Sequence, residues 1–227
     1  MRPVTPNHAA FIIDGNRRWA KALNLPTCSG HDAGLVNVRT IDDVCVSMGM
    51  QWRSYYLFSR ENAKRDPQEV RHLLEAFTRF FADWRRRPGE VVHLVGDLTA
   101  PIISDELRAA SLRLRRSTHR GGEIRGAASN VVFFLNYSGA SPGQTADSTG
   151  CLDHVADIDL IVRTGGEKRL SGYIPPQMAF SELSFVDCYW PDFGDKQLAG
   201  VMEDFALRRR RFGGNDLTPR RSAIGAA

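Results

Sequence analysis

Five short apolar runs punctuate the chain: Ala9–Ile13, Ser54–Phe58, Val91–Val95, Val131–Leu135 and Ile158–Val162. Each has the length of a strand and is near-continuously apolar rather than alternating, and the intervals between them are long enough for helical crossovers. That pattern predicts strands buried on both faces of a mostly parallel sheet. Trp19, Ala20, Ala22 and Leu23 give a helical pattern just after the first run. The clearest helix is predicted from Pro67 to Arg87, where Val70, Leu73, Leu74, Phe77, Phe80, Phe81 and Trp84 form one thick apolar stripe. Packing of that stripe against the sheet is its plainest reading. A further helix fits Ser104 to Arg120, ended by Gly121-Gly122. The whole alternation predicts an α/β fold: a mostly parallel central sheet flanked by helices, with ligands gathered at the carboxyl ends of its strands. Between Tyr137 and Asp157 the chain is rich in Gly, Ser and Pro, so 138–156 reads as a flexible loop, and 217–227 as a tail.

Composition narrows the picture. With 227 residues, 42% hydrophobic and 25% charged, one domain spanning 1–227 with a substantial core is expected. No run approaches the roughly 18 apolar residues of a membrane span, and Met1-Arg2-Pro3-Val4 lacks the apolar region of a secretory signal, so a cytoplasmic location with no transmembrane segment is expected. Cys28, Cys45, Cys151 and Cys188 have no CxxC spacing, which suggests neither a zinc site nor a redox pair. A net charge of +4 and a pI near 9.0 fit a protein that handles diphosphates or touches anionic lipid as well as one that binds nucleic acid. The arginine clusters at Arg85–Arg87, Arg113–Arg120 and Arg208–Arg211 carry little aromatic interleaving, so they read as solvated helix faces and no nucleic-acid partner is expected.

Charge placement is more telling than charge total. Asp14-Gly15-Asn16-Arg17-Arg18-Trp19 opens straight off the first apolar run, putting a carboxylate and two guanidiniums where a strand ends and a helix starts. Backbone N–H groups and the helix dipole favour an anion there. Asp14 cannot bind phosphate directly, so Mg2+ would bridge the two. A helix-capping Asp with arginines on a solvated face would explain the segment equally well if it stood alone. It does not: Arg163-Thr164-Gly165-Gly166-Glu167-Lys168-Arg169-Leu170-Ser171 places guanidiniums, glycines and a hydroxyl after the fifth run, implying a second anion site.

Taken in order with Gly30-His31, Phe58-Ser59-Arg60-Glu61-Asn62, Asn136-Tyr137, Ala179-Phe180-Ser181-Glu182-Leu183, Trp190-Pro191-Asp192-Phe193 and Arg208–Gly213, these motifs resemble the cis-prenyltransferase (undecaprenyl diphosphate synthase-like) family from Asn7 to Gly214. The resemblance implies a transferase that joins isoprenyl diphosphates, with a hydrophobic tunnel lined by the 67–87 helix, Mg2+ as cofactor and a homodimer as the working unit. It assigns Asp14, Asn62, Ser59 and His31 to catalysis. Gly15, Asn16, Arg17, Arg18, Trp19 and Arg65 are assigned to substrate binding, with Arg163, Arg169 and Ser171 gripping the second diphosphate. It adds Glu182 to Asp14 as a metal residue, against the alternative of a surface helix glutamate. His31 would be near a helix start; Glu167 and Lys168 are left as local salt-bridge or interface residues.

The chemistry fits those residue types. Ionising an allylic diphosphate needs the leaving group stabilised, a role for Mg2+ as Lewis acid and for preorganised donors such as Arg18. Guanidiniums grip phosphate in bidentate fashion.

Departures from the family's pattern put its ordinary product in doubt. Thr27 stands where the family has a diphosphate-binding Arg, Ala63 where it has Trp, and Ile174-Pro175-Pro176-Gln177 where it has Leu-Leu-Trp-Gln, which is expected to break a helix start. The family's Asn-Tyr-Gly-Gly-Arg connection is shortened and its Arg lost near Ala140. Bulky Leu57 and Phe133-Phe134-Leu135 in the tunnel stretches predict short products, roughly C10 to C20, because a close-packed wall resists displacement at ~1–3 kcal/mol. An altered allylic site with a short tunnel also resembles specialised members that couple dimethylallyl diphosphate head-to-middle into lavandulyl-type products. The departures favour that reading over regular 1′-4 condensation of isopentenyl diphosphate. A non-catalytic partner subunit is disfavoured because the acidic and basic motif residues are present.

Overall fold

The computed structural model describes residues 5–116, 129–139 and 151–212. Its frame is a six-stranded, all-parallel sheet ordered β3-β4-β2-β1-β5-β6. In chain order the elements are β1 (His8–Ile12), α1 (Asn16–Ala22), α2 (Thr27–Ser47), β2 (Trp52–Ser59), α3 (Pro67–Ala82), β3 (Glu90–Val95), α4 (Asp105–Arg116), β4 (Ser129–Tyr137), β5 (Leu160–Arg163), β6 (Glu182–Phe185) and α5 (Asp195–Leu207). The five predicted strands are all present. Burial of β1 to β5 along their full length is why their sequences carry no polar-apolar alternation.

Side chains alternate across this sheet. On one face Phe11, Tyr55, Leu57, Phe133 and Leu135 pack under α2, α3, α4 and α5. On the other, Ile12, Tyr56, Phe134, Tyr137 and Tyr173 form a second core covered by the connections around β5. Phe134 therefore cannot line a chamber beneath α3, and the sequence reading of Phe133-Phe134-Leu135 as one bulky wall is corrected by the two-residue period of the strand.

Several boundaries moved for local reasons. The α3 helix ends at Ala82, five residues before the predicted Arg87, since Pro88 keeps Arg87 out of helical conformation and both Trp84 and Arg87 turn toward Glu90. Arg87 is thereby drawn into an ion cluster and is not on a solvated helix face. The predicted loop 138–156 contains a 3-10 turn, Cys151–His154, with Leu152 and Val155 buried in the second core; residues 140–150 lie outside the described part, as do Gly121-Gly122 and the 217–227 tail. Among the described residues, no helix is long and apolar enough to cross a membrane.

The segment 174–185 contains no α-helix. It forms a 3-10 turn at Pro176–Met178 followed by edge strand β6. Prolines at 175 and 176 exclude the helix start, as expected, but the strand was not anticipated.

Candidate functional site

The central strand β1 is flanked by β2 on one side and β5 on the other. The chain leaves β1 for β2 and returns to its opposite flank at β5, so a crevice opens over their carboxyl ends. There a cleft of about 1090 Å³ is lined by residues 12–18, by Leu57 and Ser59 at the end of β2 with Glu61, Asn62 and Arg65 after it, by Arg163 at the end of β5 with Glu167, Arg169 and Ser171 after it, and by parts of α2 and α3.

Three glycines make this arrangement possible. Gly15 adopts φ 107°, and a Cβ there would lie 2.7 Å from Tyr189. Gly30 and Gly34 of α2 admit Asn16: a Cβ on Gly30 would come within 2.1 Å of the Asn16 carbonyl oxygen, and one on Gly34 within 2.6 Å of its Oδ1. The Gly30-His31 motif is thus first a packing requirement, which sets His31 on the cleft wall. His31 lies one turn into α2, not at its start.

At the centre stands Asp14. Its carboxylate accepts from Arg163 Nη2 at 2.7 Å and from the Gly15 N–H at 2.6 Å, and Arg18 Nη2 lies 3.3 Å away. On one flank, Arg163 also donates to Ser171 Oγ at 2.8 Å and to the Arg169 carbonyl, and Arg169 pairs with Glu167. Arg163 is only 3% exposed, and its Nε is buried without a partner. Glu167 also faces Arg18 at 3.6 Å, so its salt bridges belong to the cleft itself.

On the other flank Arg17, Arg65 and His31 converge on the buried carboxylate of Glu69, at 3.5, 3.3 and 3.1 Å. Burial holds the His31 pKa below the usual imidazole value, and Glu69 pulls it partly back. Thr27 lines the same flank. Sequence reasoning missed Glu69: its place in the first turn of the stripe-bearing helix gives it the look of a solvent-facing, helix-start residue. Ser59 and Asn62 clasp one another, the Ser59 N–H donating to Asn62 Oδ1 and the Asn62 N–H to Ser59 Oγ, both at 3.1 Å. Asn62 thereby spends its carbonyl on backbone and leaves its Nδ2 group for a ligand.

Two assigned residues are not brought into the cleft. Trp19 donates its indole N–H to Asp192 Oδ1 at 2.8 Å, stapling α1 to the Trp190–Asp192 turn. Glu182 opens β6 opposite Leu160, at the amino end of the sheet, and is held by Arg208 at 3.1 Å. Within one chain it lies at the opposite end of the sheet from Asp14, on an edge strand and not on a surface helix.

Whether Mg2+ suits the remaining donors can be judged from their chemistry. Among the described residues no cluster of three or more His, Cys, Asp or Glu forms a protein cage. Mg2+ usually takes one or two carboxylates and completes its shell with water and substrate phosphates. A partly exposed carboxylate at the cleft centre, between two groups of anion-binding side chains, fits that shared mode. Leu35, Leu57, Leu73 and Phe77 are among the apolar side chains that line the cleft. Behind them Phe133 is packed edge-on to Trp84 and Phe80, at 5.0 and 5.6 Å between ring centroids.

Comparison with known proteins finds relatives along the full cleft. The sequence model of a family described as putative undecaprenyl diphosphate synthase matches residues 12–213. A ditrans,polycis-undecaprenyl-diphosphate synthase ((2E,6E)-farnesyl-diphosphate specific) of Pseudomonas putida is 35% identical over 92% of this chain and 90% of its own. A trans,polycis-polyprenyl diphosphate synthase of Thermobifida fusca is 34% identical over 99% and 88%. A chloroplastic nerylneryl diphosphate synthase of Solanum lycopersicum is 34% identical over 93% and 72%. In fold, the chain superposes on lavandulyl diphosphate synthase from Lavandula x intermedia, in complex with dimethylallyl diphosphate, with a TM-score of 0.78 and 23% identity over 92% of this chain and 98% of that one.

Proposed function

We infer, from the premise that this chain belongs to the undecaprenyl diphosphate synthase family of prenyltransferases, that it is a short-chain prenyl diphosphate synthase. The observation that carries this is the pairing of two anion-binding clusters at one mouth with an apolar cleft whose wall is closed by Leu57, Leu73 and Phe77. Two diphosphates have seats, and a long polyprenyl chain has none without displacing packed side chains.

In this reading the first cluster, Arg17, Arg65 and His31 with Arg18 beside it, receives the allylic diphosphate. The second, Arg163, Arg169 and Ser171, receives the diphosphate of the nucleophilic partner. Asp14 would hold Mg2+ between them, and that ion supplies Lewis-acid stabilisation of the leaving diphosphate. The chain's own part is to fix both diphosphates with charge-assisted donors and to surround the ionising carbon with apolar wall that excludes water. The allylic C–O bond breaks, the C–C bond forms, and the proton lost from the resulting cation goes to a diphosphate oxygen. The Nδ2 group of Asn62 and the Ser59 hydroxyl position that oxygen.

For the coupling mode we favour head-to-middle joining of two dimethylallyl units into a lavandulyl-type product, because Thr27 leaves its stretch of the first cluster's wall uncharged. The names of the sequence relatives favour regular condensation with isopentenyl diphosphate instead. A cytoplasmic homodimer completes the proposal, supported by the exposed apolar residues Phe180, Leu183, Leu207 and Phe212 around the β6 edge. One experiment separates these readings: a size-exclusion fraction of mass measured by light scattering is incubated with Mg2+ and with dimethylallyl, isopentenyl and geranyl diphosphates, singly and in pairs. A branched product from dimethylallyl diphosphate alone is the expected result. A linear product requiring isopentenyl diphosphate refutes the coupling mode, a product beyond about C20 refutes the short cleft, and a monomer mass refutes the dimer.

A further inference from the structure

Glu69 has no part in the chemistry above and does not itself line the cleft, yet it pairs with side chains that do. Its side chain is 8% exposed, and three cleft-lining side chains from three elements meet on it. His31 of α2 presents Nε2 to its Oε1, Arg65 donates to the same oxygen from the turn before α3, and Arg17 of α1 faces Oε2. A carboxylate on one ring nitrogen fixes the tautomer of an imidazole. With Nε2–H turned toward Glu69, Nδ1 is the nitrogen available to a ligand in the cleft that His31 lines.

We propose that Glu69 is a positioning residue for the first anion cluster, and that the Glu69–His31 pair takes up a proton when a diphosphate binds. The inference rests on the reading of this cleft as a diphosphate site. In the free protein the imidazole is nearly buried, and the groups that face it are divided. Glu69 favours its protonation, while Arg65 and, one turn further along α3, His72 oppose it. The balance lies with the neutral ring. His72 is itself held by Asp32 of α2 at 3.0 Å, and Arg17 faces the far oxygen of Glu69.

A diphosphate arriving at Nδ1 adds a second anion on the other side of the ring. An imidazole between two anions is favoured as imidazolium, so Nδ1 gains a proton from solvent and donates it in a hydrogen bond to a phosphate oxygen. Nε2–H stays on Glu69. The charge lacking at Thr27 is thereby supplied by His31 only when the anion is present, and Arg17 and Arg65 are held in place meanwhile.

Ring-proton NMR titration of His31, with and without saturating inorganic diphosphate, tests this directly; His31→Asn serves only to assign the resonance. The His31 midpoint is expected to rise by about one pH unit or more on adding diphosphate. In Glu69→Gln, which keeps the side-chain shape, the midpoint in the free protein is expected to fall below the wild-type value, and the rise with diphosphate to shrink by at least about half. Diphosphate that binds, seen as changed His31 ring shifts, while the midpoint stays put would overturn the proton uptake. Equal midpoints in wild type and Glu69→Gln would overturn the role of Glu69. Absence of any diphosphate binding by calorimetry would overturn the diphosphate reading of the cleft and this inference with it.

Discussion

Asp14 carries more partners than one carboxylate can keep once a ligand enters. Arg163, Arg18 and the Gly15 N–H all point at it, so the free cleft is an alternating set of charges in which each guanidinium already has a counter-anion. Arg163 is the least able to tolerate loss of that balance, because it is buried and a buried charge without a partner is costly. Asp14→Asn keeps the shape and removes the charge. Turnover is expected to drop about 10²–10³-fold, the usual loss when one element of transition-state stabilisation is deleted, with the circular dichroism spectrum unchanged. A variant keeping more than about a tenth of wild-type turnover under saturating Mg2+ would remove Asp14 from the centre of the mechanism. The position of Asp14 was legible in the sequence because a strand end fixes where the next residue points. Trp19 was not: five residues on, its direction depends on how α1 rotates against the turn holding Asp192, and only tertiary packing sets that.

Among the elements, α3 carries the apolar stripe read from the sequence, and on the proposed function it is the element that limits product length. Its stripe buries Val70, Leu73, Leu74, Phe77, Phe80 and Phe81, and the helix start is fixed by Asp66, whose carboxylate accepts from the Gln68 and Glu69 N–H groups. That cap also holds the first turn from which Glu69 meets Arg17, His31 and Arg65. Phe77 lies at the boundary between stripe and cleft, with its ring 6.1 Å from Phe58. Phe77→Ala is expected to cost about 3 kcal/mol in urea unfolding and to let products grow by at least one C5 unit, read by mass spectrometry. Loss of stability with an unchanged product would mean that Phe77 packs the core without setting the length. Elements with mixed patterns stayed hidden. The α2 helix interleaves Asn37 and Asp42, both buried, with its apolar positions, so its 3.6-residue period is blurred. The β6 strand is four residues, half-exposed and polar at alternate positions, too short and too mixed to stand out.

For the molecule as a whole, the two ends of the sheet do different work. The proposed site lies at the carboxyl ends, while the amino ends are closed by a buried ion cluster. Arg53 of β2 donates to Asp42 of α2 at 2.9 Å, to Glu90 of β3 at 2.7 Å and to Ser129 of β4 at 2.7 Å. Arg87 joins both carboxylates, and Tyr55 and Trp84 complete the hydrogen bonding. One guanidinium thus ties three strands and a helix together across four separate chain segments, which no local pattern could reveal; read singly, each of these charges looks like a solvated one. Because every member is partnered, the cluster is stable as a set, and removing one charge leaves the others buried and unbalanced. Arg53→Met, similar in volume, is expected to lose about 3–5 kcal/mol in urea unfolding, and Ser129→Ala, which deletes one hydrogen bond, about 1 kcal/mol. Arg53 and Ser59 are six residues apart on β2, about 20 Å at strand spacing, so turnover per folded molecule should match wild type in both variants. Turnover that falls further than the folded fraction would show that the amino-end cluster governs the cleft and not merely the stability of the sheet beneath it.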